Sequence, residues 1–231
     1  MKTLLRKLAG KTPNLPWHHR SWGLNSNDLL LSRMLHPRGL KNAPPGTFAD
    51  IGAFHPHKHS NSYLFYRWGW RGINVDARPG AMEHFHNLRP EDTNLELAVG
   101  PKAETRTFFT FSQGEHNTAD PQVAQEVLAQ NPEIKLVAEH QLDFRPLAAI
   151  LEEHLPTDKR FDFLSVDVEG LDLQVLQSND WARFRPRMVT FENADSPEAF
   201  LASEEHRFMQ EQGYQLRCKT HADAYYQRTG A

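Results

Sequence analysis

The sequence predicts an α/β protein: a mostly parallel seven-stranded sheet, helices on both faces, and an antiparallel hairpin at the C-terminal end. Three observations carry this. Short apolar runs that end in glycine or an acid alternate with segments of helical period. The connections between them are short, as in repeated βαβ units. The last run, "YQLRCKTHADAYYQR", is two strand-like halves around a short turn, which reads as a hairpin at one sheet edge.

Taken in order, residues 1–46 read as a leader. They hold Pro13, Pro16, Pro37, Pro44 and Pro45, with one helix around "NDLLLSRML" for which Asn27 is the expected cap. The texture changes at Thr47, and residues 47–231 read as one domain. "TFADIGA" is a buried strand ending at a glycine. "SNSYLFYRWGW" follows as a helix, with Ser60 or Asn61 as cap and Gly69 as stop. "RGINVDA" is a second strand ending in Asp76, and "GAMEHFHNLRP" a second helix closed by Pro90. "NLELAVG" is a third strand, and "TRTFFTF" alternates like an exposed one. "DPQVAQEVLAQ" and "FRPLAAILEEHL" are helical by period. "FDFLSVDVEG" and "RPRMVTFEN" are apolar runs that end in acids. "SPEAFLASEEHRFMQEQG" is one long amphipathic helix, with Ser196 as cap, Pro197 in its first position and Gly213 as stop.

Bulk properties narrow the classes. A chain of 231 residues suits one domain with a proper core. A net charge of −3 and the absence of a long basic run argue against nucleic acid as partner. Cys218 is the one cysteine, so no disulfide framework exists within the chain, which fits a reducing compartment. The N-terminus is basic but lacks the apolar stretch of a secretory signal, and no run approaches the roughly 20 apolar residues of a membrane span. A cytoplasmic protein without stable membrane insertion is expected; the residues leave open whether it is a homo-oligomer.

In open α/β sheets, ligands bind beyond the carboxyl ends of the strands. There the sequence places Asp50 with Gly52 and Ala53, Asp76, Ala98 with Val99, Asp167 with Glu169, and Glu192 with Asn193. This ring of acids suits hydroxyls, positive charge or a metal ion, not a bare pyrophosphate, which prefers exposed N–H groups. Asp76 stands about 20–25 residues beyond the first turn, where an acid accepts both hydroxyls of a ribose. Without a GxGxxG loop a dinucleotide is disfavoured. S-adenosylmethionine, a nucleoside bearing an amino acid and a sulfonium, fits better. Asp50 and Asp76 as mere helix caps is the plainer alternative. Asp167, Glu192 and Asn193 supply hard oxygen ligands from two neighbouring strands, a set suited to Mg²⁺, with a solvated acidic rim as the alternative.

His55, His57 and His59 alternate, so in an extended chain they would share a face. That spacing suits zinc, but Pro56 and the lack of a nearby carboxylate or cysteine count against it. His55 or His59 reads instead as a wall of the cofactor pocket, a general base, or a polar loop residue. Trp22, Trp68 and Trp70 offer a stacking face for a sugar; for Trp68 and Trp70 packing of helix against sheet is the favoured reading. Cys218 reads as an apolar filler.

"FADIGAFHPHKHSNSYLFYRWGWRGINVDARP", "FDFLSVDVEGLDLQVLQS" and "RPRMVTFEN", in this order, resemble the FkbM-type methyltransferases, over most of the chain from Thr47. The resemblance implies a Rossmann-like class I fold and an S-adenosylmethionine site at Asp50, Gly52, Ala53, Asn61 and Asp76, with Ala98 and Val99 near the adenine. It places Asp167 and Glu169 beside the reacting hydroxyl. It also implies similarity to catechol and sugar O-methyltransferases that hold Mg²⁺ between such acids. Those enzymes often carry a lysine or histidine one turn after the first acid, and here that position is Gly170. The base would then come from Glu169, His55, His59 or His221, or a metal would act alone. The expectation is an O-methyltransferase for a small-molecule or saccharide hydroxyl. The rivals are a nicotinamide-dependent sugar dehydrogenase, disfavoured by the missing GxGxxG and Tyr-x-x-x-Lys, and an inactive methyltransferase-like binding module. The acceptor pocket would be shaped by the leader, by Ser112–Gln122 and by the hairpin.

Overall fold

The structure, a computed structural model, describes residues 20–230. The basic N-terminus, Pro13 and Pro16 lie outside the described residues. A seven-stranded sheet in the order β3-β2-β1-β7-β8-β10-β9 forms the frame. Strand β1 (Thr47–Ile51) sits at its centre, parallel to β2 (Arg71–Asp76) and β7 (Phe161–Val166). β3 (Thr93–Glu96) continues the sheet beyond β2, and β8 (Met188–Glu192) runs parallel to β7. The hairpin of β9 (Tyr214–Lys219) and β10 (Asp223–Arg228) closes the far edge, with β10 antiparallel to β8. Mostly parallel order with an antiparallel edge is the Rossmann-like arrangement expected from the sequence.

Both faces of the central strands are covered, which is why β1 and β7 read as unbroken apolar runs. One face packs Ile51, Val75, Leu164 and Val189 against helices α5 (Leu147–His154) and α6 (Asp172–Gln177). The other packs Phe48 and Phe163, stacked at 5.3 Å, with Phe65 and Trp70. Helix α1 (Asn27–Leu35) supplies Leu31 and Leu35 to this second cluster, so the helix of the predicted leader belongs to the core of the sheet. Each such fully buried side chain contributes about 1.5–3 kcal/mol. Trp70 is buried here, whereas Trp68 is exposed and does not pack helix on sheet. Trp22 and Cys218 flank the cluster, half-buried.

Helix α2 is shorter than expected, Tyr63–Arg67, and Gly69 ends it at φ 85°. Helix α3 (Ala81–Leu88) follows β2 as predicted. The remaining differences are local. "NLELAVG" splits: β3 stays in the main sheet while β4 (Ala98–Val99) joins a second, three-stranded sheet of order β4-β6-β5. β5 (Glu104–Phe111) was expected; its partner β6 (Leu136–Arg145) was not, although its burial alternates. Pro146 holds the preceding residue extended, so α5 starts only at Leu147 and not at Phe144. Helix α4 (Pro121–Gln130) is capped by Asp120, which accepts from Gln122 N and Val123 N. The long final helix breaks into α7 (Pro197–Leu201), capped by Ser196, and α8 (Glu204–Glu211), because Ser203 caps a second start through His206 N. Among the described residues, no helix is long and apolar enough to cross a membrane.

Candidate functional site

A cavity of about 590 Å³ opens at the carboxyl ends of β1, β2, β7 and β8, within the range of small-ligand sites. The turn after β1 shapes its floor. Gly52 has φ 80°, and a Cβ there would stand 1.7 Å from the Asp167 carbonyl oxygen. Only glycine lets β1 and β7 come this close. Gly52 N and Ala53 N both donate to Val75 O at 2.9 Å, which ties the turn to β2.

Asp50, Asp76, Gly52, Ala53, Asn61, Ala98 and Val99 all line this cavity. Asp50 is buried at the end of β1. Its Oδ2 accepts from Ser62 Oγ at 2.5 Å, and Ser62 Oγ accepts in turn from Arg89 Nη1 at 2.9 Å. Arg89 has no exposed side-chain surface and pairs with Asp92, equally buried, at 2.8 Å. Burial raises the Asp50 pKa, while the Ser62 hydrogen bond and the Arg89 charge pull it back. Asp76, at the end of β2, accepts from Phe54 N at 2.8 Å and from Arg78 N at 2.9 Å. Asn61 reaches Ser165 Oγ on β7 with its amide at 3.1 Å. Beyond Asp76 the wall turns apolar: Ala77, Ala98, Phe108 and Phe144 pack together, a surface for a flat aromatic ring.

Across the cavity stand carboxylates of another kind. Val166 of β7 pairs with Phe191 of β8, so Asp167 and Glu192 follow side by side, and Glu192 is in register with Asp223 of β10. Burial, then Glu192, then Asp172 push the Asp167 pKa up to about 8. Asp172, buried at the start of α6, is pushed up to about 7 by burial and by Glu192. Glu192 and Asp223 are raised too, first by burial. Like charges close together disfavour one another, which adds to burial in raising the pKa values of this row, furthest at Asp167 and Asp172.

A model of the methyltransferase FkbM domain matches residues 50–216, most of the chain. The chain belongs to the FkbM methyltransferase family. No curated protein matches it. Among solved structures, the "METTL16 MTase domain" superposes with a TM-score of 0.50 at 12% identity, over 97% of this chain and 76% of that one. Methyltransferase FkbM from Methylobacillus flagellatus gives 0.47 at 13% identity, over 79% of this chain. This chain covers 43% of that protein, less than half its length. A precorrin-6y C5,15-methyltransferase from Geobacter metallireducens gives 0.44 at 12% identity, over 95% and 94% of the two chains. At these identities the likeness concerns the fold.

The remaining expected residues of this FkbM-family chain divide. Glu169, at φ 52°, and His59, at φ 56°, line the cavity. His55 does not. Its ring lies 4.8 Å from that of His57 and 5.6 Å from that of His84, and its Nδ1 accepts from His57 N and Lys58 N. Burial and these imidazoles lower its pKa. His221 is exposed and also off the cavity wall, though Ala222 and Asp223 beside it line it. Of the residues expected for Mg²⁺, Asp167 and Glu192 line the cavity and Asn193 does not. The Asn193 amide turns away to Asp195, whose N it accepts at 3.0 Å, and among the described residues no three His, Cys, Asp or Glu side chains are grouped to hold a metal ion. Sequence reasoning missed Asp223, Asp172 and the buried Arg89. The pairing of β10 with β8 brings Asp223 in, which no motif announces. The "DARP" stretch did carry a signal for Arg78, since a base two residues after the ribose acid can fold back on it.

The predicted shaping of the pocket has a counterpart in the walls. Leu24, Asn25 and Asn27 precede β1, Gly114 and Asn117 come from the segment after β5, and Asp223 comes from the hairpin.

Proposed function

We propose that this chain is an S-adenosylmethionine-dependent O-methyltransferase acting on a hydroxyl, with a saccharide as the acceptor class. The observation that carries the reading is one cavity with two unlike ends: an apolar and hydrogen-bonding end around Asp76, and a row of crowded carboxylates around Asp167, whose own pKa is pushed up to about 8. The first end fits the cofactor. Asp76 would take the ribose, the wall of Ala77, Ala98, Val99 and Phe144 the adenine, and the Gly52 turn the amino-acid portion. When bound there, the cofactor supplies an electrophilic methyl group.

The chain's own residues do the rest. The Gly52 turn and Asp76 fix the cofactor's position, so that an acceptor oxygen meets it in line. Asp167, on the facing strand end, takes the hydroxyl proton. A carboxylate with a pKa of about 8 is matched to proton transfer near neutral pH, because it is basic enough to accept the proton and still partly ionised. Glu192, Asp223, Asn27 and Asn117 present acceptor-rich groups at this end, which suits a polyhydroxyl ligand. No step here is routed through a metal ion.

Calorimetric titration with S-adenosylhomocysteine, repeated with Mg²⁺ and with chelator, tests the reading. Micromolar binding that is indifferent to chelator is expected. No binding under any condition would sink it in favour of an inactive module, and binding that needs Mg²⁺ would restore the metal site.

A further inference from the structure

Asp76 is fully occupied without any ligand. Its Oδ1 accepts from Arg78 N and Arg78 Nε, both at 2.9 Å. Its Oδ2 accepts from Phe54 N at 2.8 Å and Arg78 Nη2 at 3.0 Å. An ionised carboxylate offers about four lone-pair sites, and these four N–H groups fill them. Two donors are backbone, fixed by the ends of β1 and β2. The other two belong to one movable side chain. A ribose brings two hydroxyls, and the two sites they need are those that the Arg78 guanidinium holds.

We propose that Arg78 is an internal competitor for the cofactor's ribose and thereby determines how tightly the cofactor is held. This rests on the methyltransferase reading of the same cavity. The guanidinium must leave Asp76 before both hydroxyls bind. It is free to do so: a third of the Arg78 side chain is exposed, and a guanidinium is weakly hydrated and moves to solvent at modest cost. Its other contacts are to Phe54, whose carbonyl oxygen accepts from Nη2 at 2.5 Å and whose ring lies 4.5 Å beneath it. Phe54 is itself at φ 54°, an uncommon conformation for a bulky residue. Arg78 therefore latches the β1 turn to the β2 end in the free protein. Cofactor binding exchanges this latch for the ribose, and product release is helped when the latch closes again.

The test is calorimetric titration of the full chain, wild type, R78M and R78K, with S-adenosylhomocysteine and with its 2′,3′-dideoxy analogue. Losing the competing fork should tighten S-adenosylhomocysteine binding about tenfold in R78M. R78K, with a point charge in place of a fork, should fall between wild type and R78M. The dideoxy analogue should show no such gain, because it does not contest the two sites. Equal tightening of both ligands would mean that only the positive charge mattered, and would overturn the proposal. So would unchanged or weaker binding, which would make Arg78 a cofactor ligand. If R78M does not fold, R78K must still bind more tightly than wild type for the proposal to stand. Wild type that binds neither ligand would remove the methyltransferase reading and this inference with it.

Discussion

The two ends of the cavity treat their carboxylates in opposite ways. At the cofactor end, Asp50 and Asp76 are surrounded by donors: Ser62 and behind it Arg89 for one, two backbone N–H groups and Arg78 for the other. At the acceptor end, Asp167, Asp172 and Glu192 crowd like charges together, so that repulsion adds to the burial that raises Asp50 as well. A satisfied carboxylate is a fixed point for binding. A carboxylate crowded by like charges has its pKa raised toward neutral, which is what a proton acceptor at neutral pH requires. The same chemical group thus serves position at one end and reactivity at the other.

Asp167→Asn breaks the comparison most severely. The amide keeps the shape and loses the base, so kcat should fall about 10²- to 10⁴-fold while S-adenosylhomocysteine binding stays within a factor of about three. Methyl-transfer assays paired with calorimetry would check it; kcat within tenfold of wild type would show that the base lies elsewhere, with Glu169 and His59 the next to test.

Arg89→Met attacks the other end. It leaves Asp92 buried without its partner and removes the donor behind Ser62 and Asp50. Breaking a buried pair costs about 3–5 kcal/mol, so the melting temperature should drop by about 10 °C. Thermal unfolding measures this; a loss under about 1 kcal/mol would mean that water replaces the guanidinium there. Asp76→Asn is gentler on the fold and more pointed in effect. It weakens two charge-assisted bonds to the ribose, and cofactor affinity should fall about 10- to 100-fold; because the amide NH2 would face N–H donors that the carboxylate now satisfies, stability should fall by about 1–3 kcal/mol as well.

The cofactor end was far more legible in the sequence than the acceptor end, for a physical reason. Asp50, Gly52 and Asp76 lie on consecutive βα units, where the order of elements fixes which strand ends are neighbours. Gly52 was legible as the glycine that ends the first apolar run, and the structure supplies its reason, since a Cβ there would meet the Asp167 carbonyl. The acceptor end is assembled by long-range pairing. Asp223 reaches it only through the antiparallel register of β10 on β8, and Asn27 only because α1 packs on the sheet. Asp172 stands at the start of a six-residue helix that no cap signalled. Asn193 shows the converse: right by position, yet its side chain accepts from Asp195 N in a local turn, a competing use that asparagine commonly makes of its side chain two residues on.

The finest test of the comparison is the pH dependence of stability. In Asp167 and Asp172 the folded-state pKa values, about 8 and about 7, lie above the unfolded value near 4. Such groups favour the folded state while protonated in it. Their contribution is complete below about pH 4 and is lost as pH rises through about 7–8. Wild type should therefore lose stability progressively from about pH 4 to about pH 8 and level off above that, and the upper part of this range is where the proposed base becomes ionised and active. Asp167→Asn removes the larger of these two liabilities. It should gain about 1–2 kcal/mol over wild type at pH 8.5 and nothing at pH 4, a few degrees in melting temperature. Melting curves at the two pH values read the difference directly. A variant less stable than wild type at pH 8.5 would mean that Asp167 is held as a satisfied anion, and the two ends of the cavity would then be alike.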